Sequence, residues 1–183
     1  MGTMMKSYLM DAWNYLDPIY YRCTRLQYLQ EANKTNTILR VRLTRYKGAK
    51  IILQDGTIIQ RNDLLLKIHL HNVRMLRELE GVTSEMKRAV YIYHMMKQSL
   101  PRLAAHLSAH QNCDQIKGVI GITFLNSGVN RLGFETSPIH SKLYLTYKKI
   151  TLIPINVMAG KKRMDKDPIY LFMSKQNLLQ LYQ

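Results

Sequence analysis

Two stretches, Ile38 to Thr44 and Leu66 to His71, alternate apolar and basic residues so strictly that little choice of local structure remains. In the first, Leu39, Val41 and Leu43 fall on one side, and Arg40, Arg42 and Thr44 on the other. In the second, Leu66, Ile68 and Leu70 oppose Lys67, His69 and His71. Strand side chains change face at every residue, whereas a helix would scatter these apolar positions around its circumference. Each segment is therefore predicted to be a strand with one apolar and one basic face. A shared sheet would gather Arg40, Arg42, Lys67, His69 and His71 into one cationic surface.

The residues between them supply the connections. Asp55-Gly56 separates Ile51-Ile-Leu from Thr57-Ile-Ile, the pattern of a hairpin closed by a type I′ turn. Turn residues also stand at Tyr46-Lys-Gly48 and Arg61-Asn-Asp63. An antiparallel unit of three or four strands over 38–71 is the expectation, with further strands near 118–125 and 168–173. Helical spacing is predicted near 74–80, ending at Gly81, and near 84–110, capped by Thr83 or Ser84 and interrupted at Pro101. Met86, Ala89, Val90, Tyr93, Met96 or Lys97, and Leu100 would form that helix's stripe. Residues 141–150 fit strand and helix equally, and Ser174 caps a C-terminal helix. Residues 4–16 read as an N-terminal amphipathic helix carrying Trp13, stopped by Asp17-Pro18. The whole is expected to be α+β, an antiparallel sheet packed against helices, as one domain over 1–183.

Composition sets the partner class. Twenty-seven Lys and Arg against twelve Asp and Glu give a net charge of +15. Such a surface attracts phosphorylated ligands, anionic lipid or nucleic acid. Helix-turn-helix, zinc-finger and aromatic RNA-reading patterns are absent, which argues against a dedicated nucleic-acid partner and leaves only non-specific binding. After the helix, Tyr20, Tyr21, Arg22 and Arg25 interleave rings with charge, a composition suited to a membrane interface. An amphipathic element covering the domain is the other reading of the same stretch. No apolar run reaches the roughly 18 residues of a transmembrane span. Lys6, Asp11 and Asp17 break any signal-peptide pattern, and Lys6 stands where a myristoylation signal needs Ser or Thr. The expected location is cytoplasmic, soluble or peripheral at the inner face of the membrane.

Reactive constellations are sparse. His69-x-His71 puts two imidazoles on one strand face about 7 Å apart. That would suit two ligands of one metal, with Asp55, Asp63 or Glu135 as a third, but neighbouring arginines oppose a cation. Neither Cys23 nor Cys113 lies in a Cys-x-x-Cys pair. His106, His110, Cys113, Asp114 and Ser127 place nucleophile, base and acid types without a nucleophile elbow, and phosphate-cradling glycine loops are missing. No metal or cofactor is expected.

Spaced pieces of the chain resemble the YkoP-like family of bacterial proteins. They are Asp17-Pro-Ile-Tyr-Tyr-Arg-Cys-Thr-Arg-Leu26, Asp63…Lys67-Ile-His69-Leu-His-Asn72, Arg131-Leu-Gly-Phe134 and Tyr170-Leu-Phe-Met-Ser-Lys…Leu178…Tyr182. Together they span the chain, and their order carries the specificity. His69 and Asn72 match the family's His-x-x-Asn pattern; His71 departs from the acidic or apolar residue usual there, which weakens a metal site. Similar domains occur appended to polysaccharide deacetylases, so the resemblance implies a role in envelope glycan or lipid metabolism and a deacetylase-type partner. The expected function is an accessory domain binding an anionic lipid, or a lipid-linked phosphate or glycan, through Arg40, Arg42, Lys67, His69, His71 and Asn72. A small envelope transferase or hydrolase with His69 as general base is the alternative.

Overall fold

The computed structural model describes residues 26–30, 36–70, 74–75, 78–79, 81–82, 84–124, 128–158 and 167–183. Its strands are β1 (Gln27–Gln30), β2 (Asn36–Arg45), β3 (Ile51–Ile52), β4 (Ile58–Ile59), β5 (Leu64–Leu70), β6 (Ile116–Thr123), β7 (Glu135–Pro138) and β8 (Ile169–Ser174). The helices are α1 (Glu85–Ser108), α2 (Lys142–Met158) and α3 (Lys175–Tyr182). Six strands form one sheet in the order β1-β2-β5-β6-β8-β7, and β3-β4 make a separate ribbon. The class is α+β.

The alternating strands pair as predicted. Leu39, Val41 and Leu43 lie opposite Leu70, Ile68 and Leu66, while Arg40 and Arg42 lie opposite His69 and Lys67. The apolar face packs on α1 and α3 through Leu100, Leu103, Leu107 and Leu178, which are all fully buried. A helical turn beneath α1 adds Met75 and Leu79, the latter donating its N–H to Met75 O (3.0 Å). Every sheet pairing among the described residues is antiparallel except β5 with β6. The antiparallel expectation misses that pair because α1 carries the chain back to the starting end of the sheet, and the next strand must then run parallel. Gly118 is needed where β6 meets β8, since a Cβ there would stand 2.3 Å from Met173 O.

Caps form where their residues predict them. Ser84 Oγ accepts from Lys87 N (3.4 Å), and Ser174 Oγ accepts from Asn177 N (2.9 Å). Pro101 does not interrupt α1; it sits on the exposed side, where helix carbonyls can tilt towards water. The predicted stripe is wrong in the first turns, where Met86 and Val90 are exposed, and burial begins at Met95. A helix of 24 residues runs about 36 Å, whereas seven-residue β5 runs about 23 Å, so α1 outreaches the strands it covers.

Other differences follow from local geometry. The ambiguous segment 141–150 opens α2, and β2 begins at Asn36, two residues before the predicted strand. The β3–β4 turn is not type I′, because Gly56 takes φ +81° while Asp55 keeps negative φ. Gly56 N–H donates to Leu53 O (2.9 Å) and Leu53 N–H to Thr57 O (3.0 Å), a three-residue loop ending in a left-handed glycine. The hairpin also does not extend the main sheet; it folds across one face of it. The predicted helix 4–16 lies outside the described residues.

Candidate functional site

The sheet face away from α1 is divided in two. At one end Leu65, Ile120 and Phe172 form a small second core with Tyr46, Leu53 and Ile59, all brought by the hairpin and its flanks. The hairpin is fastened at its tip. Gln54 N–H donates to both Glu135 carboxylate oxygens (2.9 and 3.1 Å), and the Ser174 hydroxyl donates to the Asp55 carboxylate. Burial pushes the Asp55 carboxyl up, but the bonds from Ser174 and Thr57 outweigh it and hold the group below its usual range. Lys117 Nζ ties the hairpin base, donating to Ile58 O (3.2 Å) and pairing with Asp63 (3.0 Å).

The other end of that face is cationic. Arg40 stands directly across from His69, and Arg42 directly across from Lys67. Like charges opposed on neighbouring strands repel. The expected solvent-facing surface is in fact recessed: Arg40 is 3% exposed and Lys67 9%. Period-two spacing assigns a face but not its depth, and α2 reaches this end of the face, with Lys148 acting on Lys67 and His69. Tyr144 of α2 stacks on Tyr170 of β8 (centroids 6.3 Å, 18°), and Lys148 lies 5.4 Å from the Tyr144 ring centre and 5.2 Å from that of Tyr147. The Tyr170 hydroxyl bonds to Tyr144 and is pushed up by burial first and by its phenolic neighbours second.

Electrostatics at this end are one-sided. Burial, then Lys148 and Arg42, lower the Lys67 ammonium to about 8. Burial, then Lys67, Arg42, Lys148 and Arg40, hold the His69 imidazole down to about 3. Lys148 is lowered by burial and then by Arg42. Among the described residues, the charges acting on Lys67, His69 and Lys148 are cationic. The His69 Nε2 is buried without a hydrogen-bond partner among the described residues. Burying charge is costly, and here several cations share one end of the sheet face.

The structure therefore brings together Arg40, Arg42, Lys67 and His69 of the predicted set. His71 and Asn72 lie outside the described residues, as do Trp13, Tyr20, Tyr21, Arg22 and Arg25. Lys148, Tyr144 and Tyr170 were missed; a helical assignment of 141–150 would have placed Tyr144 and Lys148 on one face at i, i+4. The proposed third metal ligands Asp55, Asp63 and Glu135 are engaged in fastening the hairpin. Among the described residues, His, Cys, Asp and Glu side chains form no group of three able to hold a metal. The rings of His106 and His110 lie 6.0 Å apart at the end of α1, on the other side of the sheet from the cluster. A shallow groove lined by Thr37, Ile38, Met95, Gln98 and Ser99 also excludes the cluster. No helix among the described residues is long and apolar enough to cross a membrane.

Comparison with known proteins agrees over nearly the full length. The family model described as the YkoP domain matches residues 6–182. A Bacillus subtilis (strain 168) protein, "Uncharacterized protein YkoP", is 40% identical over 182 residues, which cover 98% of each chain. No solved structure matches.

Proposed function

The chain belongs to the YkoP domain family, and we propose that it is a binding domain for a phosphate-bearing anion, held in the cationic half of its sheet face. One observation carries this reading: Arg40 and Arg42 of β2 lie across from His69 and Lys67 of β5, and Arg42, Lys67 and Lys148 crowd like charge onto one recessed stretch of the sheet face. A folded chain keeps such an arrangement at a cost in stability, and a dianionic group placed among them would turn mutual repulsion into shared attraction. The guanidinium groups offer paired donors to phosphate oxygens, and Lys67 and Lys148 add point charges. His69, neutral at pH 7, would orient the ligand through a directional bond. The ligands of matching chemistry are an anionic phospholipid head group and a lipid-linked phosphate or glycan. The envelope setting and a deacetylase-type partner rest on the family resemblance alone, and peripheral attachment to the inner membrane face belongs to the same proposal.

Acid–base catalysis by His69 receives less support. A group held near pH 3 by burial and then by its cationic neighbours is a weak base at neutrality. Extended nucleic acid fits poorly as well, because Arg40 and Lys67 are recessed rather than displayed.

Titration calorimetry with inorganic pyrophosphate at low salt tests the proposal. Saturable binding, weakened roughly ten- to hundredfold in Lys67→Met, is expected from the loss of one charge-assisted phosphate contact. Absence of binding in the wild type, or equal binding in the variant, overturns it.

A further inference from the structure

The two elements on the side of the sheet that holds the cationic cluster, α2 and the hairpin, both carry exposed apolar side chains. On α2, Leu143, Tyr147 and Ile150 are 87%, 56% and 60% exposed and recur at i, i+4 and i+7, one continuous helical stripe. On the hairpin, Ile52 and Ile58 are cross-strand partners, exposed by 65% and 41%. These two surfaces lie on the same side of the sheet, since α2 contacts Tyr170 and the hairpin contacts Phe172, residues of one face of β8. Lone exposed apolar residues need no explanation, but five on two separate elements of one side form a surface.

The charge around that surface selects its occupant. Lys47 and Lys50 lead into the hairpin and Lys142 opens α2, all three exposed. The cationic cluster lies beneath the same α2, which presents Lys148 on its inner side and the stripe on its outer side. An apolar helical stripe bordered by lysines and containing a tyrosine is the composition of an interfacial helix on anionic lipid. A purely apolar protein partner would gain nothing from the lysines, and an acidic one nothing from the stripe.

We infer that the side of the sheet covered by the hairpin and α2 docks on an anionic lipid bilayer. The Leu143–Tyr147–Ile150 stripe and the Ile52/Ile58 pair would enter the head-group boundary, while the cluster receives a lipid phosphate. This inference rests on the phosphate reading of the cluster, and it adds which partner presents the phosphate and which residues meet it.

Vesicle flotation with the full chain separates the two. Wild type is expected to float with vesicles of mixed phosphatidylcholine and phosphatidylglycerol, and not with phosphatidylcholine alone. Leu143→Ser/Ile150→Ser should lower partitioning roughly ten- to thirtyfold, the effect of removing two side chains from the acyl boundary, with pyrophosphate binding and thermal midpoint unchanged. A second variant, Ile52→Ser/Ile58→Ser, should weaken flotation in the same direction. Flotation that is absent in the wild type, indifferent to phosphatidylglycerol, or equal in both stripe variants overturns the inference. If pyrophosphate binding survives such a result, the phosphate reading stands and only the bilayer is removed. A protein occupying the stripe instead would leave the wild type at the bottom of the gradient with every vesicle, which counts against the inference.

Discussion

Replacing Lys67 with methionine should make the ligand-free protein more stable, although it removes a buried residue at the heart of the cluster. Lys67 is 9% exposed, so solvent screens it little. Its fall from the ordinary 10.5 to about 8 corresponds to roughly 3 kcal/mol borne by the protonated form. Methionine keeps much of the stem's length and apolar contact while deleting the charge, so a net gain of about 1–3 kcal/mol is expected at pH 7. For a chain of this size that raises the melting midpoint by roughly 3–10 °C. The pH dependence carries a definite sign. At pH 7 the amine is protonated in the folded and the unfolded state, and the penalty is fully present. Between about 8 and 10.5 the folded state has released its proton while the unfolded state still holds one. Wild-type stability therefore rises through that window relative to the variant, and the gap closes above it. Paired urea denaturation curves of the two proteins from pH 7 to 10.5 measure this, since other titrations cancel in the difference. A variant that is less stable at pH 7, or a gap that does not shrink with pH, would refute the electrostatic account.

Four further outcomes are expected. In a proton NMR titration, His69 should stay neutral through the range where a free imidazole charges and titrate near pH 3, and saturating pyrophosphate should raise its pKa by at least about one unit; an unliganded His69 titrating near 6.5 contradicts the cluster. Because the unfolded state binds that proton first, His69→Asn should flatten the decline in stability as pH falls from 6.5 towards 3, seen in acid unfolding curves. Ser174→Ala removes both the α3 cap and the bond to Asp55, so a loss of about 1–3 kcal/mol in urea unfolding is expected, together with faster amide exchange at Gln54 and Gly56. Gly118→Ala would press a methyl group onto the β8 backbone at Met173 O, and a loss of roughly 2–4 kcal/mol, or failure to accumulate in soluble form, is the expected result.

Much of this molecule is legible in its residue order where one physical period dominates. The β2 and β5 faces and the Ser84 and Ser174 caps all follow from spacing and hydrogen-bonding chemistry. Spacing is silent on what lies above a face. Arg40 and Lys67 were assigned to the correct side but not to the correct depth, and α2, which brings Lys148 beside Lys67, is a segment whose strand and helix patterns are equally good on paper. The same gap hid Lys148 and Tyr170 from the site, since both join it through a tertiary contact between residues far apart in the chain. Asp55, Asp63 and Glu135 were open as metal ligands only because their carboxylates' partners, Ser174, Lys117 and Gln54, could not be foreseen from neighbours in the chain.

The fastening of the hairpin tip has a consequence for how the chain matures. Gln54 meets Glu135 across 81 residues, and Asp55 meets Ser174 across 119. Closing loops of that length costs entropy that only a nearly complete sheet can repay, so the clasp belongs to the final stage of folding, after the transition state. On the ribosome the hairpin emerges early but must wait for almost the whole polypeptide before it can seat. Until then Leu65, Ile120 and Phe172 have no cover. A growing chain of this family is thus expected to be most prone to aggregate in its last stretch of synthesis, and changes at Ser174 should reduce the yield of folded protein more than their effect on final stability implies.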